Sequence, residues 1–329
     1  MTREAYFDNA KFILIFLVVF GHIIQPYTND VTGVYTLYTW IYFFSMPAFI
    51  FTAGFFAKGS GNLTYILQLA KKLLIPYIIF QLIYSAYYYF LGKSAWGVSV
   101  LTPEWSLWFL MSLFSWHIML IVYRKIPPML GILLAFGIGI AVGYIDDIGQ
   151  TLSLSRTFVF FPFFLCGYWL TKEHVMLVKR NSVKIIGTLV LAAMVFVVYW
   201  LPEINTGWLL SSKSYSELGF PEIGGLVRIG VYIASIAMAI AVLAWIPNKM
   251  YTFTYLGQRT LYVYLLHGFF IQFFRETGIL HVNNMLDVFG LALLSLVIVF
   301  LLSHRWILGI WQPLIEGKTT VLRKDILQK

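Results

Sequence analysis

Long apolar runs recur along this chain, and Pro, Gly, Asn and clusters of charged residues separate them. A stretch of about 20 mostly apolar residues is long enough to cross the hydrocarbon core of a bilayer as a helix. The pattern predicts an all-α, polytopic membrane protein with about ten transmembrane helices. The predicted spans are residues 10–25, 35–56, 73–91, 107–123, 129–144, 158–171, 183–201, 226–245, 260–274 and 286–310. The fourth, fifth, sixth and ninth spans are short, so their ends are the least defined.

Lysine and arginine residues are concentrated in every second connection between these spans. If the N-terminus is cytoplasmic, all but five of the 23 basic residues lie on the cytoplasmic side. The five outside are Lys93, Arg156, Lys213, Arg228 and Arg275. Basic connections near helix ends are retained in the cytoplasm. The distribution therefore predicts that both the N-terminus and the C-terminus are cytoplasmic.

The composition excludes several classes of protein. The chain is 60% hydrophobic and only 11% charged, whereas about a quarter of the residues of a soluble protein are charged. Its net charge of +9 is spread over short connections, so it indicates topology and not nucleic-acid binding. Cys166 is the only cysteine, and the histidines show no metal-binding spacing. With no repeat or long linker, we expect one transmembrane domain over residues 1–329 and no metal.

Ionisable residues inside apolar spans indicate function, because each is costly in hydrocarbon. Lys11 and His22 are eleven residues apart in the first span, so both project from one helical face, separated by roughly 16.5 Å along the axis. Lys11, with Lys71 and Lys72, could neutralise the phosphates of acyl-coenzyme A at the cytoplasmic mouth. His22 could act as general base on an acceptor hydroxyl. Alternatively, Lys11 snorkels to the interface and His22 bonds a neighbouring helix.

Six short sequence motifs, the first of which contains Lys11 and His22, occur in a characteristic order along the chain. They are Phe7–Lys11 with Gly21-His22, Met46–Phe56, Lys71–Tyr77, Ser106–Leu110, Pro162–Tyr168 and Leu256–His267. This succession resembles the acyltransferase-3 family of integral membrane O-acyltransferases, notably its fucose 4-O-acetylase-like branch. The first feature is similar to that family's motif of a basic residue, a ten-residue gap and a histidine. Ser45 and Ala53 depart from the pattern, because related sequences often have histidine and serine there.

The resemblance implies an O-acyltransferase of the plasma membrane. Such proteins move an acyl group, usually acetyl from acetyl-coenzyme A, to a hydroxyl of an envelope glycan, a glycolipid or a related acceptor. Lys11 and His22 would inherit the family's essential pair, and His267 would be a second, auxiliary imidazole. The alternative for His267 is a satisfied hydrogen bond between helices.

Several residues near the predicted outer interface are candidates for acceptor binding. Together with Trp105, Trp108 could offer an aromatic face that stacks on a sugar ring, and Glu104 could bond the sugar hydroxyls, although tryptophan also anchors helices at that interface. Arg156 could recognise an anionic or hydroxylated acceptor, or it could pair with Asp146 and Asp147. 

A different class of function has the same composition. A transporter or flippase of a glycan precursor would also have many spans and polar residues in its cavity. Transporters often contain two related halves with interrupted helices. The first-span pattern has no second copy here, which favours the enzyme.

Overall fold

The computed structural model describes residues 5–58, 63–200 and 204–318. All regular secondary structure in these ranges is helical, which confirms the predicted all-α class. The helices are α1 Ala5–Ile24, α2 Thr32–Phe56, α3 Leu63–Phe90, α4 Trp108–Tyr123, α5 Pro128–Ala141, α6 Leu154–Trp169, α7 Lys172–Val178, α8 Asn181–Trp200, α9 Gly207–Leu210, α10 Gly224–Trp245, α11 Thr260–Thr277, α12 Met285–Leu302 and α13 Arg305–Glu316. Arg3, Arg323, Lys324 and Lys329, which are among the basic residues of the topology prediction, lie outside the described residues.

Ten of these helices fall on the ten predicted spans in order: α1 to α6, α8, and α10 to α12. Over the described ranges, 7 stretches of helix are long and apolar enough to cross a membrane. They are α1, α2, α3, α4 together with the 3₁₀ helix Trp105–Leu107 before it, α8, α10 and α12. Helices α5 and α6 have only 14 and 16 residues, and α11 carries Gln272, Arg275 and Glu276. The protein is therefore a multi-pass membrane protein by its helices, while ten crossings and cytoplasmic termini remain predictions.

The predicted span 286–310 is wrong at its end, because the structure divides it into two helices. Helix α12 ends at Leu302, and α13 begins at Arg305 after a turn. The His304 side chain accepts a hydrogen bond from the backbone N–H of Trp306 at 3.4 Å and so caps α13. An apolar run thus continues through a helix boundary that hydropathy alone does not show.

Helix α1 lies against α2, α11 and α12, and most of its residues are buried. Its first turns are held by a polar network. The Asn9 amide donates to the carbonyl oxygens of Pro247 and Lys249, both at 2.9 Å, and the Thr254 hydroxyl donates to Asn9 Oδ1 at 2.7 Å. These bonds fix α1 against the segment between α10 and α11. Because they satisfy polar groups that would otherwise be buried without partners, they also specify the position of α1.

Helices α2 and α6 cross closely at a pair of glycines. A Cβ atom on Gly54 would lie 2.0 Å from the backbone oxygen of Phe164, and one on Gly167 would lie 2.0 Å from that of Phe51. The two glycines therefore allow backbone contact from both sides. Small residues commonly serve this purpose between membrane helices.

We expect Gly54→Ala and Gly167→Ala each to destabilise the protein by about 1–3 kcal/mol, because the added methyl group forces the two backbones apart. Gly137→Ala in α5 is the matched control, since nothing lies within 4 Å of a Cβ at that position. The measurement is thermal unfolding of the purified variants in detergent. A melting temperature equal to that of the wild type for Gly54→Ala would contradict the close crossing of α2 and α6.

Candidate active site

His22 lies in the last turn of α1 and is half-buried. Its Nδ1 is 3.1 Å from the hydroxyl oxygen of Tyr42 on α2. The side chain of Gln25 is a further hydrogen-bonding neighbour of the ring. When Nδ1–H donates to the Tyr42 oxygen, the neutral imidazole has its lone pair at Nε2. This is the tautomer that a general base needs.

His267 lies in α11 and has 0% of its surface exposed. Its Nδ1 is 3.0 Å from the carbonyl oxygen of Val263, one turn earlier. A carbonyl oxygen only accepts hydrogen bonds, so Nδ1 carries the hydrogen and the neutral ring has its lone pair at Nε2. That Nε2 is buried and has no partner among the described residues. The alternative that the sequence allowed for His267 was a satisfied hydrogen bond to another helix. It is wrong, because the hydrogen bond of His267 to Val263 lies within α11.

The fold brings the two histidines together. Their ring centroids are 5.6 Å apart, and the ring of Trp105 lies 4.6 Å from His22 and 5.0 Å from His267. Trp105 has a positive φ of 41°, which is uncommon for a bulky residue. Gly268 leaves room for it, since a Cβ there would be 2.5 Å from the Trp105 ring. Three aromatic rings from α1, α11 and the segment before α4 thus form one cluster.

Trp108 and Arg156 also lie together. The guanidinium of Arg156 is 5.1 Å from the Trp108 ring centroid, and its Nε donates to the carbonyl oxygen of Leu210 at 3.1 Å. The expected alternative, an ion pair of Arg156 with Asp146 or Asp147, is not formed among the described residues. The structural reason is that Arg156 points towards α4 and α9, where an aromatic face and a carbonyl oxygen bind it.

A narrow void of about 30 Å³ connects several of these groups. Its lining residues come from α1, α2, the start of α4 and α11, and they are Ile15, Val18, His22, Met46, Phe49, Ser106, Trp108, Phe109, Tyr264 and His267. Val18 precedes His22 by about one turn and Ile15 by about two turns. The void therefore extends from the histidines along α1 towards its N-terminal end.

A second, larger cavity of about 600 Å³ opens beside His22 at the C-terminal end of α1, which is the predicted outer end. Its polar lining includes Gln25, Tyr27, Arg275 and His281. Arg275 donates through Nη2 to the carbonyl oxygen of His22 at 2.8 Å and to Gln25 Oε1 at 2.7 Å. His22 lines both this cavity and the narrow void, so it lies at the junction between them.

Two members of the site, Arg275 and Tyr42, were not predicted from the sequence, and the contact of Trp105 with the two histidines was not predicted either. Arg275 has a signal in the sequence, because it lies eight residues after His267 in the same helix and is an arginine in an apolar segment. Tyr42 has no such signal among 21 tyrosines. The position of Trp105 depends on its positive φ and on Gly268, neither of which a hydropathy pattern indicates.

Glu104 lines neither cavity. Its backbone N–H donates to Gln81 Oε1 at 2.9 Å, and it precedes the short 3₁₀ helix Trp105–Leu107. Partial burial raises the pKa of the Glu104 carboxyl above its ordinary value. The structure therefore places Glu104 next to Trp105 in the chain, but does not show its carboxylate in contact with the histidines.

The three lysines predicted to bind the donor lie on different helices. Lys11 pairs with Asp8 at 2.7 Å and lies 5.6 Å from the ring centroid of Phe56. Lys71 and Lys72 are exposed on α3, which packs mainly against α4 and α13. The structure thus supports an ordering role for Lys11 within α1, while a shared phosphate site of the three lysines remains a prediction.

The comparisons with known proteins give the class of the chain. In the described part, no group of three or more His, Cys, Asp or Glu side chains could hold a metal ion. The comparisons with curated proteins and with solved structures gave no match. A family model described as an acyltransferase domain matches residues 4–304, which is nearly the whole chain. The chain therefore belongs to the acyltransferase-3 family of membrane acyltransferases.

Proposed function

We propose that this protein moves an acetyl group from acetyl-coenzyme A in the cytoplasm to a hydroxyl of an envelope glycan or related acceptor at the outer face of the plasma membrane. The observation that carries the proposal is the position of His22. Its Nδ1 contacts Tyr42, and its side chain lines both the large outer cavity and the narrow inner void. A base at such a junction can meet one substrate from each side.

His22 is the proposed general base. An acceptor hydroxyl in the outer cavity gives its proton to Nε2 while its oxygen attacks the thioester carbonyl carbon. The bond from that carbon to sulfur then breaks, and the leaving thiolate takes the proton. Tyr42 fixes the ring and accepts from Nδ1–H, so that Nε2 keeps the lone pair. 

His267 is the proposed auxiliary group. Its bond to the Val263 carbonyl leaves Nε2 as a hydrogen-bond acceptor in a buried position 5.6 Å, centroid to centroid, from His22. A buried acceptor without a partner is costly, so a substrate N–H or O–H donor that reaches it gains affinity. The amides of a pantetheine arm and the hydroxyl of an acceptor are both donors of this kind.

On the donor side, we propose that the thioester end of the substrate enters along the narrow void beside α1. Lys11 lies roughly 16.5 Å from His22 along the helix axis, at the predicted cytoplasmic end. It would contact the phosphates in exchange for part of its pair with Asp8, and Lys71 and Lys72 would add positive potential at the mouth. The void of about 30 Å³ must widen to admit the arm.

On the acceptor side, Glu104, Trp108 and Arg156 remain proposed substrate contacts. Trp108 and Arg156 stack together beside the void that His22 and His267 line. They would contact the part of the acceptor that extends beyond His22 and His267 into the void. Glu104 follows the outer connection 91–103 and would hydrogen-bond a hydroxyl at the rim.

The direct test of the activity uses purified protein, radiolabelled acetyl-coenzyme A and candidate envelope glycans, with identification of the labelled product. A labelled O-acetyl glycan is the expected result. A flippase would move its glycan without labelling it, so the absence of label with every acceptor would contradict the enzyme.

We expect His22→Ala to lower acyl transfer by about 10²–10⁴, since it removes the general base. The protein should remain folded, because the half-buried ring packs beside a cavity. His117→Ala is the matched control: His117 is also an imidazole inside the bundle, held by Tyr65 at 3.0 Å and away from both cavities that His22 lines. The measurement is turnover per folded protein in detergent. Normal turnover by His22→Ala would remove His22 from the mechanism.

We expect Lys11→Ala to weaken coenzyme A binding, while Lys11→Arg retains more affinity because it keeps the charge. Calorimetry at two ionic strengths measures this, since a phosphate contact at a watery mouth weakens with salt. Lys125→Ala is the control, an exposed lysine in another predicted cytoplasmic connection. If Lys11→Ala binds coenzyme A as tightly as the wild type, the ion pair with Asp8 has only a structural role.

A further inference from the structure

The cavity at the predicted outer end has a one-sided charge. Its described lining residues include the guanidinium of Arg275, and none of them is acidic. The acidic neighbour in α11, Glu276, is already paired with Lys93 at 2.8 Å. The cavity therefore offers positive charge and hydrogen-bond donors that no carboxylate in its wall neutralises.

Arg275 has unused hydrogen-bond donors. A guanidinium carries five N–H groups, and the two on Nη2 bind the His22 carbonyl oxygen and Gln25 Oε1. Nε is buried and has no partner in the ranges that the structure describes. Nη1 has no partner there either, and it is not buried. The accessible edge of this side chain thus faces the cavity that it lines.

The protein groups bound to Arg275 orient it but do not neutralise it. Both are neutral oxygens, one from an amide side chain and one from a backbone carbonyl. The His22 carbonyl belongs to the last turn of α1, where the helix dipole concentrates a negative charge of roughly half a unit. This partial charge explains how an arginine is accommodated without an acidic partner. It leaves the accessible Nη1 available for an anionic ligand.

The cavity has the size and the chemistry of a small-molecule site. About 600 Å³ lies within the usual range of roughly 300–1,000 Å³ for such sites. The Tyr27 hydroxyl donates to the Leu280 carbonyl oxygen at 2.6 Å, which fixes one wall. Arg275 binds the backbone carbonyl of His22, and both side chains line the same cavity. An anion bound to Arg275 is therefore next to the proposed base. One ligand can therefore reach both groups.

We propose that the acceptor is an acidic glycan, in which a carboxylate or phosphate group lies on the same sugar unit as the hydroxyl that is acylated. Arg275 binds the anionic group, and His22 takes the proton of the hydroxyl. This assignment rests on the proposed acyl-transfer function and specifies its acceptor class. Carboxylated and phosphorylated sugars share the required chemistry, which is a negative charge and a hydroxyl on one sugar unit.

The first arm of the test measures binding to the wild-type protein without any acyl donor. Methyl glucoside, methyl glucuronoside and methyl glucoside 6-phosphate are compared by saturation-transfer NMR on protein in nanodiscs. We expect at least one charged glycoside to bind about tenfold tighter than the neutral one, as is typical of a charge-assisted hydrogen bond. The charged glycoside that binds more tightly shows whether the site prefers a carboxylate or a phosphate. Equal affinity for all three would overturn the proposal.

The second arm tests Arg275 itself. Arg275→Gln should lose the preference for the charged glycoside and keep its affinity for the neutral one, while Arg275→Lys should keep part of the preference. Lys213→Gln, at an exposed lysine of another predicted outer connection, is the matched control and should leave the preference unchanged. Equal loss of both affinities in folded Arg275→Gln would make Arg275 only a positioning residue for α1, and would overturn the proposal. If Arg275→Gln does not fold, the wild-type comparison decides.

These arms separate the acceptor class from the activity. Preferential binding of a charged glycoside that is never acetylated would contradict the proposed function and leave the acidic-ligand site standing. Acetylation of neutral and charged glycosides with equal efficiency would support the function and overturn the acidic acceptor. 

Discussion

The hydrogen bond from Arg275 of α11 to the carbonyl oxygen of His22 joins the end of α1 to the helix that carries His267. The guanidinium of Arg275 is thereby a cation at the C-terminal end of α1, where the last backbone carbonyls have no partners within the helix. The same two helices carry the two imidazoles, whose ring centroids are 5.6 Å apart, and Arg275 lines the outer cavity. One contact therefore links the helix ends that carry the catalytic candidates with the charge of the cavity.

The bundle supports that contact from the other end of α1. Asn9, Thr254 and the carbonyls of the segment after α10 hold the first turns of α1, so the helix is fixed at both ends. Its middle lies against aromatic and aliphatic side chains. In an apolar interior, directional hydrogen bonds specify geometry better than apolar packing does, since hydrophobic contact has no preferred direction. This explains why a few polar groups position a site within a largely apolar chain.

Hydropathy was sufficient to predict the class and the order of the helices, because the length of each apolar run is set by the thickness of a bilayer. It failed at Ser303-His304, where a turn lies within an apolar run. The periodicity of α1 and the family resemblance identified His22, and the structure brings it beside His267. Arg275, Tyr42 and the contact of Trp105 with the histidines were missed, because they depend on contacts between distant helices and on one unusual backbone conformation. Lys71 and Lys72 were grouped with Lys11 by charge alone, which carries no information on helix neighbours.

The central claim is that acyl transfer joins substrates that reach His22 from opposite sides of the membrane. The most direct measurement uses sealed proteoliposomes with labelled acetyl-coenzyme A on one side and an impermeant glycan acceptor on the other. Orientation is assigned by protease accessibility of the C-terminus. The account predicts labelled glycan only when the donor is on the side of the C-terminus and the acceptor is on the other side. Label that appears only when both substrates share one side would contradict the account.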